Sequence, residues 1–160
     1  MADGVTARGE RRGIGYEEGK AHCAALLNRV KARAEDKPIL LDIGAVWCHW
    51  CHVMDETSYS DPEVIRLINE RYVPIRVDND ERPDVNRRYN MGGWPSTVFL
   101  TPEGEIIHGG TYVPPEQMWQ TLNGVDEAWS TKREEITQRV AELRVQESEA
   151  RRPKSGDLSM

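Results

Sequence analysis

Ile39-Leu40-Leu41-Asp42-Ile43-Gly44-Ala45-Val46-Trp47-Cys48-His49-Trp50-Cys51-His52 is the stretch that fixes how the rest of the chain is read. The apolar run from Pro38 to Ala45 predicts a strand, and the residues from Cys48 to about Glu56 are compatible with a helix. A strand that feeds a helix N-terminus sets Cys48 among unpaired backbone N–H groups, at the positive end of the helix dipole. Such a setting favours the thiolate and can bring a cysteine pKa down to roughly 3.5–7.5. Cys51 follows one turn later, within reach of a mixed disulfide formed on Cys48. The pair reads as a dithiol that cycles to a disulfide, with Cys48 as nucleophile and Cys51 as resolving thiol.

The neighbours of the pair carry further expectations. Asp42 is anomalous in so apolar a strand, because a buried carboxylate is costly unless paired or protonated. Near a thiol it is suited to accept the Cys51 proton, directly or through water; the bland reading is a strand-end Asp that reaches solvent. His49, between the cysteines, can stabilise the Cys48 thiolate when protonated or can simply be solvated. His52 fits a packing or supporting role. Trp47, Trp50 and Trp94 are expected to form an aromatic rim suited to a protein partner, although packing beneath the loop explains Trp47 equally well.

Upstream, residues 1–15 are Gly-rich and charged and predict a flexible N-terminal arm. Cys23, Leu26, Leu27, Val30 and Ala34 follow helical spacing over Tyr16–Ala34, which makes Cys23 a buried helix cysteine. Downstream, Ser60-Asp61-Pro62-Glu63 is a helix start with Val64, Leu67 and Ile68 on its inner face. Tyr72–Asp78 is a second strand, and its Pro74 points to an edge or an irregular start. Asn79–Asn90 reads as loop plus a short helix. Ser96–Leu100 is a third strand, turned by Thr101-Pro102-Glu103-Gly104 into an antiparallel return over Glu105–Gly109. Pro115–Arg144 is helical, with Met118, Leu122, Val125 and Trp129 inward and a kink at Asn123-Gly124. Residues 146–160 are expected to be a flexible tail beyond a domain spanning 16–145. Parallel pairing of the first two strands and a terminal hairpin make a mixed sheet with helices on both faces.

With 160 residues and a net charge of −6, the chain is large enough for one cored domain and unsuited to a nucleic-acid partner. No apolar run approaches the ~18–20 residues that span a membrane. Met1–Lys20 holds no apolar segment, so no secretory signal is legible and a cytoplasmic address is expected. Three cysteines are too few for a disulfide framework, and in a reducing compartment a disulfide is usually transient and catalytic.

The strand and Trp47-Cys48-His49-Trp50-Cys51, with Asp42 six positions ahead of the first cysteine, resemble the active-site segment of thioredoxins. Cys48-His49-Trp50-Cys51-His52-Val53-Met54, Gly92-Gly93-Trp94-Pro95 and Gly109-Gly110-Thr111-Tyr112-Val113-Pro114-Pro115 together resemble the N-terminal thioredoxin-like domain of the spermatogenesis-associated protein family. The resemblance covers residues 16–140. It implies an α/β fold, the thioredoxin-like three-layer α/β/α sandwich with a mixed central sheet. It also implies a cis-proline at Pro95, opposite the redox pair, that presents backbone to an extended substrate. Family members continue into a helical barrel resembling sugar epimerases. Asp42 matches ordinary thioredoxins, whereas this family often has a small polar residue there. The implied partners are a protein or small-molecule disulfide and an external reductant such as a thioredoxin reductase or glutathione system, with no cofactor and no metal. Zinc held by Cys48, Cys51 and His49, His52 or His22-Cys23 is the rival chemistry, in a non-catalytic interaction domain. Cys48-x-x-Cys51-His52 also spells the c-type haem attachment pattern, which export machinery would have to serve.

Overall fold

The computed structural model describes residues 21–151, with side chains from residue 28 onward. Its elements, in order, are α1 (Ala21–Glu35), β1 (Ile39–Gly44), α2 (His49–Glu56), a one-turn 3-10 helix (Ser58–Ser60), α3 (Pro62–Arg71), β2 (Val73–Asp78), α4 (Pro83–Tyr89), β3 (Ser96–Leu100), β4 (Ile106–Gly110), α5 (Pro115–Thr131) and α6 (Arg133–Ala150). The sheet runs β2-β1-β3-β4, with β1 parallel to β2 and antiparallel to β3, and β3 antiparallel to β4. This is the mixed sheet that the order of elements predicts.

Strand alternation builds two cores. Leu40 of β1 and Phe99 of β3 face Met54, Tyr59, Val64, Leu67, Ile68, Met118 and Leu122 from α2, the 3-10 turn, α3 and α5. Ile39, Leu41 and Ile43, with Val73, Ile75, Val77, Val98 and Leu100, face the other way, against Ala32 of α1 and Val85 and Tyr89 of α4. The sheet is therefore the middle of three layers. Because Val73, Ile75 and Val77 take the α1–α4 side, Arg76 must point to the same side as Leu40 and Asp42, since side chains alternate along a strand. Pro74 sits on an edge strand, where its missing N–H costs no ladder bond.

Three expectations need correction. Val30 is 62% exposed and Ala34 is exposed, while Ala32 is fully buried, so the inward stripe of α1 runs through Ala32. A methyl side chain there lets the helix lie close to the sheet. The side chains of His22, Cys23, Leu26 and Leu27 lie outside the described residues, as does the arm expected over 1–15. The helix from Pro115 runs unbroken through Asn123-Gly124 and ends at Lys132 (φ −117°, ψ 23°) rather than near Arg144, and α6 continues to Ala150 inside the stretch expected as tail. Gly124 stays helical because a single glycine costs only about 1 kcal/mol there, less than the packing of Leu122, Val125 and Trp129 supplies. Residues 152–160 of the expected tail lie outside the described residues.

Candidate redox site

β1 ends at Gly44, and the chain turns through Ala45–Trp47 into α2. Cys48 is the N-cap of α2: its backbone is extended (φ −82°, ψ 112°) and its sulfur accepts the Cys51 N–H at 3.2 Å. A sulfur in that position receives one of the helix's unpaired donors, the interaction that stabilises a thiolate when the pair is reduced. Cys48 and Cys51 are joined as a disulfide with their Cα atoms 5.3 Å apart. Both are mostly buried, at 6% and 7% exposure. Gly44 makes this approach possible, since a Cβ there would lie 3.3 Å from Cys51 Sγ.

Aromatic residues surround the pair in two groups. Trp47, 61% exposed, donates Nε1–H to Asp80 at 3.0 Å and meets Trp94 edge-on at 5.5 Å between ring centroids. Trp94 packs against Ala45, Cys48 and Cys51 and donates to Asn86 at 3.1 Å. The Trp94–Pro95 peptide is cis, and Pro95 is buried. Trp50, 53% exposed, lies between His49 at 5.7 Å and Tyr112 at 5.2 Å. His49 and His52 are exposed, and a His52 ring nitrogen is 2.8 Å from the Val46 carbonyl oxygen, bracing the turn that leads into the pair.

Asp42 of β1, Arg76 of β2 and Asp55 of α2 form a charged cluster. Arg76 Nε donates to Asp42 Oδ2 at 2.8 Å, and its Nη2 donates to Asp55 Oδ1 at 2.6 Å. The three side chains are 16%, 14% and 11% exposed respectively. Burial opposes the charge on Arg76, but Asp42 and Asp55 outweigh it and hold the guanidinium well above its ordinary pKa. Its carbon also lies 5.3 Å from the centre of the Tyr59 ring. Burial, and next the charge of Asp42, push the Tyr59 phenol well up, so it stays protonated. Its hydroxyl is buried without a hydrogen-bonding partner among the described residues.

The structure sets Trp94, with Pro95 next to it in the chain, against Cys48 and Cys51, Trp47 against Trp94 and His49 against Trp50, and it places Asp42 on β1 in an ion pair with Arg76. Sequence reasoning missed Arg76, Asp55, Tyr112 and Asp80. Asp42 and Arg76 are register partners in the parallel pairing of β1 with β2, a pairing set by strand register rather than by spacing along the chain. Among the described residues no group of three or more His, Cys, Asp and Glu is placed to hold a metal ion, and no helix is long and apolar enough to cross a membrane.

Residues 23–147 match the family described as "Thioredox_DsbH: Protein of unknown function, DUF255". Spermatogenesis-associated protein 20 of Homo sapiens is 48% identical over 94 residues, which cover 54% of this chain and 12% of that protein. The thiol:disulfide interchange protein DsbD of Pseudomonas fluorescens is 30% identical over 76 residues, 46% of this chain and 13% of that one. A thioredoxin from Thermus thermophilus, solved in solution, superposes with a TM-score of 0.57 at 28% identity, covering 62% of this chain and 82% of the other. The chain spans less than a fifth of the length of the curated relatives it matches. Fold, bonded Cys-x-x-Cys pair and relatives together support thiol–disulfide redox chemistry. The chain belongs to the DUF255 family, as a thioredoxin-like domain of the kind found in spermatogenesis-associated protein 20.

Proposed function

We propose that this domain is a thiol–disulfide oxidoreductase acting on protein disulfides, with Cys48 as nucleophile and Cys51 as resolving thiol. The observation that carries the reading is Cys48 at the N-cap of α2, its sulfur facing the Cys51 N–H. In the reduced state the Cys48 thiolate attacks one sulfur of a substrate disulfide; that S–S bond breaks, and the other substrate sulfur leaves as a thiolate that takes up a proton. Cys51 then loses its proton, with Asp42 as acceptor, and attacks Cys48 Sγ. The mixed disulfide breaks and the second substrate sulfur departs. Two electrons have passed to the substrate, and the Cys48–Cys51 disulfide waits for an external dithiol or glutathione-type reductant.

Trp47, His49, Trp50, Trp94 and Pro95 are the substrate-contacting residues in this reading. Half-exposed aromatics beside the sulfurs favour a polypeptide over a small thiol, because they offer apolar area that glutathione does not need. A cytoplasmic setting fits an external reductant of this kind. Reduction of insulin by the protein with dithiothreitol as electron source tests the function. Catalysis is expected above the dithiothreitol background and is expected to vanish in Cys48→Ser. A purified protein carrying stoichiometric zinc on unreactive thiols would instead favour the interaction domain.

A further inference from the structure

On the α1–α4 side of the sheet, away from the layer that holds α2, α3 and α5, the core is thinly covered. α1 approaches through the small Ala32, and α4 is a 7-residue helix with no fully buried residue. Val85 and Tyr89, four residues apart on one face of α4, cover the strands only in part. With the buried Ile39, Ile75, Val77 and Leu100 they line a recess of about 220 Å³. Close-packed interiors hold few voids larger than a water molecule. An apolar cavity of about 150 Å³ already admits benzene, so this one has room for an apolar body of about seven or eight carbons.

Arginines line the same recess. Arg29 of α1 and Arg88 of α4 are exposed, and among the described residues neither has a carboxylate partner. Arg29 donates one hydrogen bond, at 3.3 Å, to the Glu103 carbonyl, and the Arg88 guanidinium carbon lies 5.1 Å from the centre of the Tyr89 ring. Both charges bear on Tyr89: burial raises the pKa of its phenol, Arg88 and then Arg29 oppose the rise, and Glu105 adds to it. The Tyr89 hydroxyl donates to the Gly104 carbonyl at 2.7 Å, and a Cβ on Gly104 would lie 3.1 Å from that hydroxyl and 3.8 Å from Arg29 Nη2. The neighbouring acids are engaged. Asp84 accepts from Arg82 at 2.9 Å and 2.7 Å, and Glu105 accepts from Arg144. Buried aliphatic residues thus form the inner end of the recess and exposed guanidinium groups the outer end, and the planar fork of a guanidinium matches a carboxylate.

We propose that this recess binds a small organic acid, an amphipathic carboxylate whose apolar body lies on Ile39, Ile75, Val77 and Leu100 and whose head group is held by Arg29 and Arg88. None of these residues takes part in the redox site described above.

Titration calorimetry of the full chain with sodium octanoate tests the assignment. Saturable binding of one octanoate per chain is expected. Butanoate, four methylenes shorter, should bind about a hundredfold more weakly, since each buried methylene contributes about threefold to fourfold. 1-Octanol, which lacks the charge, should bind about tenfold more weakly than octanoate. Arg29→Gln combined with Arg88→Gln alters only exposed side chains. It should weaken octanoate about tenfold while leaving 1-octanol binding and insulin reduction unchanged. Val85→Phe, which fills the recess, should abolish binding of both ligands in a protein that still unfolds cooperatively. Absence of saturable octanoate binding, 1-octanol bound as tightly as octanoate, or wild-type affinity in the double arginine variant overturns the proposal. So does octanoate binding that is lost in Trp50→Ala and kept in the arginine variant, which would place the acid on the exposed aromatic residues near the cysteines. Each of these outcomes leaves the oxidoreductase reading standing, because that reading rests on Cys48 and Cys51.

Discussion

Asp42 and Arg76 sit directly opposite each other in the parallel pairing of β1 with β2, and Asp42 is the lone charge in its strand. That juxtaposition explains why Asp42 was visible in the sequence and its partners were not. A carboxylate inside an apolar run is a local anomaly and can be noticed by itself. Its pairing with Arg76 depends on strand register, and the arrival of Asp55 depends on how α2 crosses the sheet, neither of which composition or spacing encodes. Cys48, Cys51 and the flanking tryptophans were legible for the opposite reason: strand, turn and helix start are contiguous, so the redox pair and its helix cap are assembled by neighbours in the chain. Tyr112 was quoted only within a motif, and its stacking on Trp50 comes from the segment after β4. Asp42→Asn keeps the volume and a hydrogen-bonding oxygen for Arg76 but removes the proton acceptor. In single turnover of the reduced protein with dithiobis(nitrobenzoate), attack by Cys48 releases the first thionitrobenzoate and resolution by Cys51 the second, and that second release should fall by about a hundredfold at neutral pH. A second release at the wild-type rate would remove Asp42 from the mechanism.

Among the elements, those whose ends are set by side-chain chemistry follow the sequence most closely. α3 begins where Asp61 accepts the N–H groups of Glu63 at 2.9 Å and Val64 at 3.1 Å, with Pro62 in the first turn. The Thr101–Gly104 turn closes with Gly104 N–H donating to Thr101 at 2.9 Å, and Gly104 takes a φ of +90°, open to glycine at little cost. Elements whose boundary depends on tertiary contact depart from the sequence reading, as α1 does in turning Ala32 rather than Val30 to the sheet, and as α5 does in stopping at Lys132. No helical period can separate two neighbouring stripes when one is lined by alanines. Asp61→Ala tests the first class. Two backbone donors lose their acceptor, so a loss of about 1 kcal/mol in unfolding free energy is expected from chemical denaturation, with the m-value unchanged. A change within error of zero would mean that Pro62 and the packing of Val64, Leu67 and Ile68 start the helix without the cap.

At the scale of the whole molecule, the three layers place the redox pair where β1, an inner strand, delivers its chain end to α2. Helices on both faces cover the sheet, and the dithiol lies where β1 gives way to α2, with Trp94 packed against it. α6 stands apart from this architecture. None of its residues is buried, and Ile136 and Val140 are only partly covered. Its long-range tie to the sheet region is Arg144, which donates to Glu105 at 2.5 Å from a half-exposed position. Surface ion pairs of that kind contribute about 0–1 kcal/mol. Arg133 differs, because its guanidinium covers the Trp129 ring at 4.6 Å and pairs with Asp36. A chain ended after Arg133 keeps those contacts and both cores. It should unfold cooperatively, with a loss below about 2 kcal/mol made up of the ion pair and a little apolar cover. Both release phases with dithiobis(nitrobenzoate) should match those of the longer chain, since no residue beyond Arg133 contributes to the site described. Loss of a cooperative transition would mean that α6 supports α5 in a way its exposure conceals. An altered second phase in a well-folded truncation would show that the far end of the molecule reaches the Asp42 cluster.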